Sequence, residues 1–231
     1  MSTDTPPSDP DWDRFAGEID RDAAARAAVY DLLARAMDEP SAELAEAMAA
    51  GEFEAELRAL VEQTSLDVAV PTIATEDDHE TLCARFNDLF RLGHAQYTDR
   101  TDGSLDASGP PVPLYESSYR DQVSWNDVNL DLARAYDYFG VEVDQTNRQH
   151  HDHARLELQF ASYLCRREAA VDASAANARL DFHDRHLGVL ASGMNAAIAD
   201  EPGTDVYGPL LAFFEAFVDA DVEDIDRRDE P

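Results

Sequence analysis

Apolar residues recur along almost the whole chain at steps of three and four, the spacing that lines one face of a helix. From about Asp20, the residues Val29, Leu32, Leu33, Ala36 and Met37 form a first stripe, which Pro40 stops. Ser41 is placed to cap a second helix bearing Leu44, Ala45 and Met48, and Phe53, Leu57, Leu60 and Val61 make a third stripe. Past a loop around Pro71, Thr75 stands as the cap of a helix carrying Leu82, Cys83, Phe86, Leu89 and Phe90, with its end at Gly93. Helices resume after a Ser117 or Ser118 cap and include Leu130 to Phe139, with Gly140 suited to a left-handed C-cap. Further helices are predicted from about Asp152 to Val171, with Leu156, Phe160, Tyr163 and Leu164 inward, over roughly 175–199, and from Val206 to Val218. No strand pair and no internal repeat stands out, so the pattern predicts an all-α bundle of about 8 to 10 helices. The tail from Asp219 to Pro231 is mostly charged and is expected to fray.

One long stretch, His94 to about Ser117, breaks the helical rhythm with Asp102-Gly103, Gly109 and the prolines Pro110, Pro111 and Pro113. A plain loop of that length inside a helical domain is uncommon and often functional.

Charge changes the picture more than size does. The chain has 231 residues with 49 acidic and 18 basic side chains, a net charge of −31, and all of the basic ones are arginine. A nucleic-acid partner is not expected, because phosphate binding needs a basic footprint. Acids alternate with apolar residues at helical spacing, as in Asp31-Leu32-Leu33, so the chain is expected to fold and to suit a salt-rich cytoplasm. There a Debye length of about 3 Å at 1 M salt screens the self-repulsion. No apolar run reaches the roughly 18 to 20 residues that span a bilayer. Residues 1–19, Pro- and Asp-rich and without a signal pattern, are expected to be a flexible acidic arm, and the protein is expected to stay in the cytoplasm. Cys83 and Cys165 stand apart amid apolar neighbours and are expected to be free buried thiols.

Catalytic constellations are hard to find. There is no Gly-x-Ser-x-Gly elbow and no Gly-x-Gly-x-x-Gly phosphate loop, so no enzyme activity is expected. A metal-binding bundle using His79, His150, His151, His153, His183 or His186 is the rival reading. Only Glu76 with His79 has the Glu-x-x-His spacing of a di-iron site, and no second pair occurs. No resident metal or cofactor is therefore expected. A second rival is a structural module that self-associates through the proline-rich loop. Two patches remain: the stiff arm Pro110 to Tyr119, with its tyrosines, and Asp152-His153 at a helix start, where Asp152 is a natural N-cap.

Together these patches resemble the TorD/DmsD/NarJ family of redox-enzyme maturation chaperones. Phe86 to Gly93 is similar to that family's aromatic-x-x-Leu-Phe-x-x-Gly helix end, and Pro113 to Tyr119 to its Pro-x-aromatic-x-Ser-x-Tyr loop. Asp152-His153 with Glu157-Leu158-Gln159-Phe160 resembles the Asp-His-x-x-x-Glu-Leu-x-Phe helix, and Phe182 with His186-Leu187 the Phe-x-x-x-His-Leu element. Two positions depart from the pattern: Leu190 where Trp is frequent, and Leu114 where a second Pro is frequent.

The resemblance implies a helical chaperone domain over residues 20–218, with lobes of about 20–125 and 126–218 joined by a hinge. It implies a cytoplasmic protein that binds the leader peptide and apo-form of a molybdopterin-dependent oxidoreductase, assists cofactor insertion and proofreads before twin-arginine export. By motif position, Pro113, Leu114, Tyr115, Glu116, Ser117, Tyr119, Asp152, His153 and His186 are implied to contact the client. Monomers and homodimers both fit such a family.

Overall fold

A computed structural model describes residues 19–93, 95–99, 104–107, 109–143, 150–172 and 174–229. The expected arm over residues 1–19 therefore lies, but for Ile19, outside the described residues. Nine α-helices occur among them: α1 Arg21–Ala36, α2 Ala42–Ala49, α3 Glu52–Val61, α4 His79–Phe90, α5 Trp125–Tyr138, α6 Ala154–Ala170, α7 Ala175–Phe182, α8 Gly188–Ile198 and α9 Tyr207–Asp229. No helix among the described residues is long and apolar enough to cross a membrane. The all-α bundle is thus observed, with one addition. The stretch after Gly93 contains an antiparallel pair, β1 Ala95–Asp99 and β2 Ser104–Ala107, where the periodicity pointed to an undecorated loop. The turn signal Asp102-Gly103 between them is the feature that could have announced a hairpin.

Local chemistry explains several helix ends. The Asp20 carboxylate accepts the Asp22 and Ala23 amides, and Ser41 Oγ accepts the Leu44 amide at 3.1 Å. Gly140, at φ 69°, closes α5 in a Schellman arrangement: its N–H donates to Asp137 O and that of Val141 to Tyr136 O. Some caps differ from expectation. Asp78, not Thr75, caps α4 by accepting the Thr81 amide at 2.9 Å. Thr75 instead accepts the Asp77 amide and donates its hydroxyl to Asp205. Ser117 and Ser118 lie inside a short 3-10 turn, Glu116–Tyr119, and Ser124 caps the helix that follows.

The core is one contiguous cluster drawn from both halves of the chain, because α1 lies along α6. Leu190, at the position of the frequent tryptophan, is fully buried in it. The charged tail does not fray: α9 runs on to Asp229 and buries Asp221, Asp224 and Ile225. The reason is a polar network in the core that the apolar pattern could not reveal. Arg26 of α1 and Arg179 of α7, both fully buried, converge on Asp221. Arg26 donates to Asp221 at 2.7 Å and to Asp224 at 2.6 Å, and Arg179 also donates to Glu168 at 2.6 Å. Tyr30 adds its hydroxyl to Asp221 at 2.7 Å. Burial alone would push the Asp221 carboxyl up, but Arg179 and the neighbouring cations hold it well below the usual carboxylate range. Cys165, fully buried, and Cys83, partly buried, are both free thiols.

Candidate functional site

Two distant segments meet through their backbones. The Glu116 N–H donates to Asp152 O at 2.9 Å and the Ala154 N–H to Leu114 O at 2.8 Å, an antiparallel bridge centred on Tyr115 and His153. The proline arm is fixed from behind, since the Val112 N–H donates to Leu89 O at the end of α4 and the Tyr119 hydroxyl to Pro113 O at 2.7 Å. Tyr119 also packs on α8 at Gly193, where an added Cβ would meet the Tyr119 Cβ at 2.8 Å. The first three motif segments thus form one face around the end of α4 and the start of α6.

Within that face, most of the expected contact residues point inward. Asp152 is not the helix cap. It is 1% exposed and accepts the Ser117 amide at 3.2 Å, while His153 caps α6 by accepting the Arg155 amide on Nδ1. That role needs an unprotonated Nδ1, and burial pushes the His153 ring down to about 4. Glu116 is fully buried and serves two internal donors, Arg120 Nε and His186 Nδ1, the latter at 2.9 Å. Leu114 belongs to the core. Only Pro113, Tyr115, Ser117 and Tyr119 keep partial exposure. Tyr115 starts a short aromatic row, edge-on to His153 at 5.1 Å and near His150 at 6.0 Å, which in turn lies 5.2 Å from the half-exposed Trp125.

His186 carries the fourth motif segment to the same place from an irregular turn. Residues His183–Leu187 form a π-helical turn between α7 and α8, in which the Gly188 N–H donates to His183 O. Arg120 reaches this turn by donating to Arg185 O. Glu116, holding both Arg120 and His186, therefore fastens the loop to the π turn. The second ring nitrogen of His186 faces Asp131 of α5 at 3.2 Å, so this ring links the buried carboxylate to the molecular surface. Beside Glu116 lies Glu157, fully buried with neither carboxylate oxygen hydrogen-bonded among the described residues. Burial first, and the Glu116 charge second, push the Glu157 carboxyl well above its ordinary value.

Where α5 passes the π turn, the surface opens into a furrow. An apolar cavity of about 340 Å³ lies over Phe139, Phe160 and Phe182 and continues past Asp131, Arg134, Arg185 and His186 into a wider one of about 560 Å³ reaching Val123 and Leu130. Three other histidines have structural partners. His79 Nε2 lies 2.8 Å from Pro40 O, His151 packs near Tyr136, and His183 sits in the core network with its ring pushed down to about 4 by burial. Among the described residues, no group of three or more His, Cys, Asp or Glu side chains is placed to hold a metal ion.

Comparison with known proteins adds a family to this geometry. The family profile described as nitrate reductase delta subunit matches residues 20–190. The chain is 28% identical over 140 residues to the selenate reductase assembly chaperone protein of Thauera selenatis, covering 58% of this chain and 66% of that one. It is 31% identical over 139 residues to the chlorate reductase assembly chaperone protein of Ideonella dechloratans, covering 57% of this chain and 65% of the relative. The alignments thus span just under two thirds of the length of these two relatives. A match to the perchlorate reductase assembly chaperone protein of Dechloromonas aromatica reaches 25% over 207 residues, 87% of this chain and 90% of that one. Among solved structures, a redox enzyme maturation protein from Archaeoglobus fulgidus superposes with a TM-score of 0.46 at 15% identity, covering 85% of this chain and 93% of the other.

Proposed function

Because the chain belongs to the nitrate reductase delta subunit family, we propose that it is a cytoplasmic chaperone for a molybdopterin-dependent oxidoreductase. It binds the leader peptide of the apo-enzyme, holds that enzyme while the cofactor is inserted, and delays twin-arginine export until then. The observation that carries this reading is the joining of the proline arm to the start of α6. It presents Tyr115, His150 and Trp125 as an aromatic row on a rigid, hydrogen-bonded frame.

In this reading the nine motif residues divide by exposure. Pro113, Tyr115, Ser117 and Tyr119 keep surface that a client can touch. Leu114, Glu116, Asp152, His153 and His186 position that surface from below, since none is more than 5% exposed. Covering about 400 Å² of apolar surface with a leader releases roughly 10 kcal/mol at about 25 cal/mol/Å². Ordering the peptide and losing its free motion cost about 4 to 15 kcal/mol. The remainder is small enough for the release that a maturation chaperone requires. Screening in molar salt weakens long-range attraction, so apolar contact supplies most of the hold.

Co-purification with the apo-form of a molybdoenzyme catalytic subunit, followed by titration with its leader peptide in molar salt, tests the proposal. Stoichiometric binding to the leader and loss of complex on cofactor loading support it. Failure to bind any apo-molybdoenzyme overturns it.

A further inference from the structure

Seven large apolar side chains are strongly exposed among the described residues, and four of them, Val123, Trp125, Leu130 and Tyr138, lie on α5 or just ahead of it. Leu130, Arg134 and Tyr138 follow one another at four-residue steps, about 6 Å apart along the helix. They form the outer lip of the furrow that runs between α5 and the π turn. The floor of its narrower part is aromatic, built from Phe139, Phe160 and Phe182.

The charges at this lip are nearly all committed. Arg185 is held by Asp131 and Asp181 and its carbonyl by Arg120, Arg120 is held by Glu116, and His186 bridges Glu116 and Asp131. Arg134 pairs with no carboxylate among the described residues, although the chain has 49 acidic side chains to 18 arginines. The two other carboxylates of the furrow, Asp127 and Asp184, line the wider end, away from the aromatic floor. A lone guanidinium between two exposed apolar side chains, above an aromatic floor, is complementary to an apolar segment that carries one carboxylate.

We propose that the furrow along α5 is a second client-binding surface. It takes an apolar partner segment whose single Asp or Glu side chain pairs with Arg134 and whose flanking apolar residues contact Leu130, Tyr138 and the aromatic floor. The inference rests on the chaperone reading for the identity of the partner, but it concerns a different face from the Tyr115 row. It also reverses what net charge suggests. A chain of charge −31 selects here for an acidic rather than a basic residue in its partner.

Three synthetic amphipathic peptides with the same leucine stripe, differing only in a central Glu, Gln or Arg, test it by titration in molar salt. The protein is expected to bind the Glu peptide about tenfold more tightly than the Arg peptide, as a charge-assisted contact allows. Arg134→Glu reverses that order, and Arg134→Gln makes the three peptides equivalent. Arg134 is exposed, so unchanged melting of both variants separates lost recognition from lost fold. Equal affinity for all three peptides, or an order that Arg134→Glu leaves intact, overturns the proposal. If an apo-molybdoenzyme still binds in that case, the chaperone reading stands without this surface.

Discussion

Replacing Asp221 by Ala probes the core network at its centre. The substitution leaves two guanidiniums, Arg26 and Arg179, each fully buried, without a shared carboxylate, and it removes the acceptor of the Tyr30 hydroxyl. Glu168 and Asp224 still hold one edge of each arginine, so the charges are weakened rather than stripped. Breaking a buried pair by deleting one partner costs about 3 to 5 kcal/mol. In a protein of this size about 1 kcal/mol moves the melting temperature by about 2 to 4 °C, so a fall of about 6 to 20 °C is expected. Circular dichroism melts in dilute and molar salt provide the assay, with Asp226→Ala as the control, since Asp226 is exposed on the same helix. A buried pair is screened little, so the deficit persists in molar salt while surface effects shrink. A fall no larger than that of Asp226→Ala refutes the claim that the last two turns of α9 are anchored through this network.

Four other outcomes are expected. Gly193→Ala, whose Cβ collides with Tyr119, costs about 1 to 3 kcal/mol by overpacking, and Tyr119→Ala in the same chain relieves it; chemical denaturation measures both. His183 and His153 have folded values near 4 against an ordinary 6.5, so the unfolded chain binds more protons between these limits. Stability is therefore complete above about pH 6.5 and lost as pH falls toward 4. His183→Gln flattens its share of the curve, about 3 kcal/mol. Glu157 titrates above its ordinary 4.5 when folded, so its neutral form costs more as pH rises above that value. Glu157→Gln thus raises the melting temperature at pH 7 and leaves it unchanged near pH 4. His186→Phe removes both carboxylate contacts and loosens Arg120 and Asp131, so backbone amides of residues 183–188 exchange faster by mass spectrometry while those of α1 do not.

Helical periodicity carried most of the fold, because burial repeats every three to four residues wherever a helix lies on a core. Its failures share a cause. Side-chain hydrogen bonds move helix starts by a few residues, as at Thr75 and Asp78, and hydropathy does not record them. Asp221, Asp224 and Ile225 looked like part of a solvated tail, because a buried acid and a surface acid are the same letter until Arg26 and Arg179 are placed beside them. The hairpin of β1 and β2 is short, and its strands lack a long alternating apolar pattern. Order of motifs foretold that the proline arm and Asp152-His153 converge, but not that Glu116 and Asp152 are consumed inside. The furrow along α5 left its mark only as exposed Leu130 and Tyr138, which no rule of spacing distinguishes from ordinary surface residues.

Hydrogen–deuterium exchange of the protein with and without the leader peptide of the proposed apo-molybdoenzyme client bears most directly on the chaperone reading. Saturable protection is expected over residues 113–125 and 150–153, with α2 and α3 unchanged. Full leader binding with protection confined to α2 and α3, or no protection at any peptide concentration, contradicts the account.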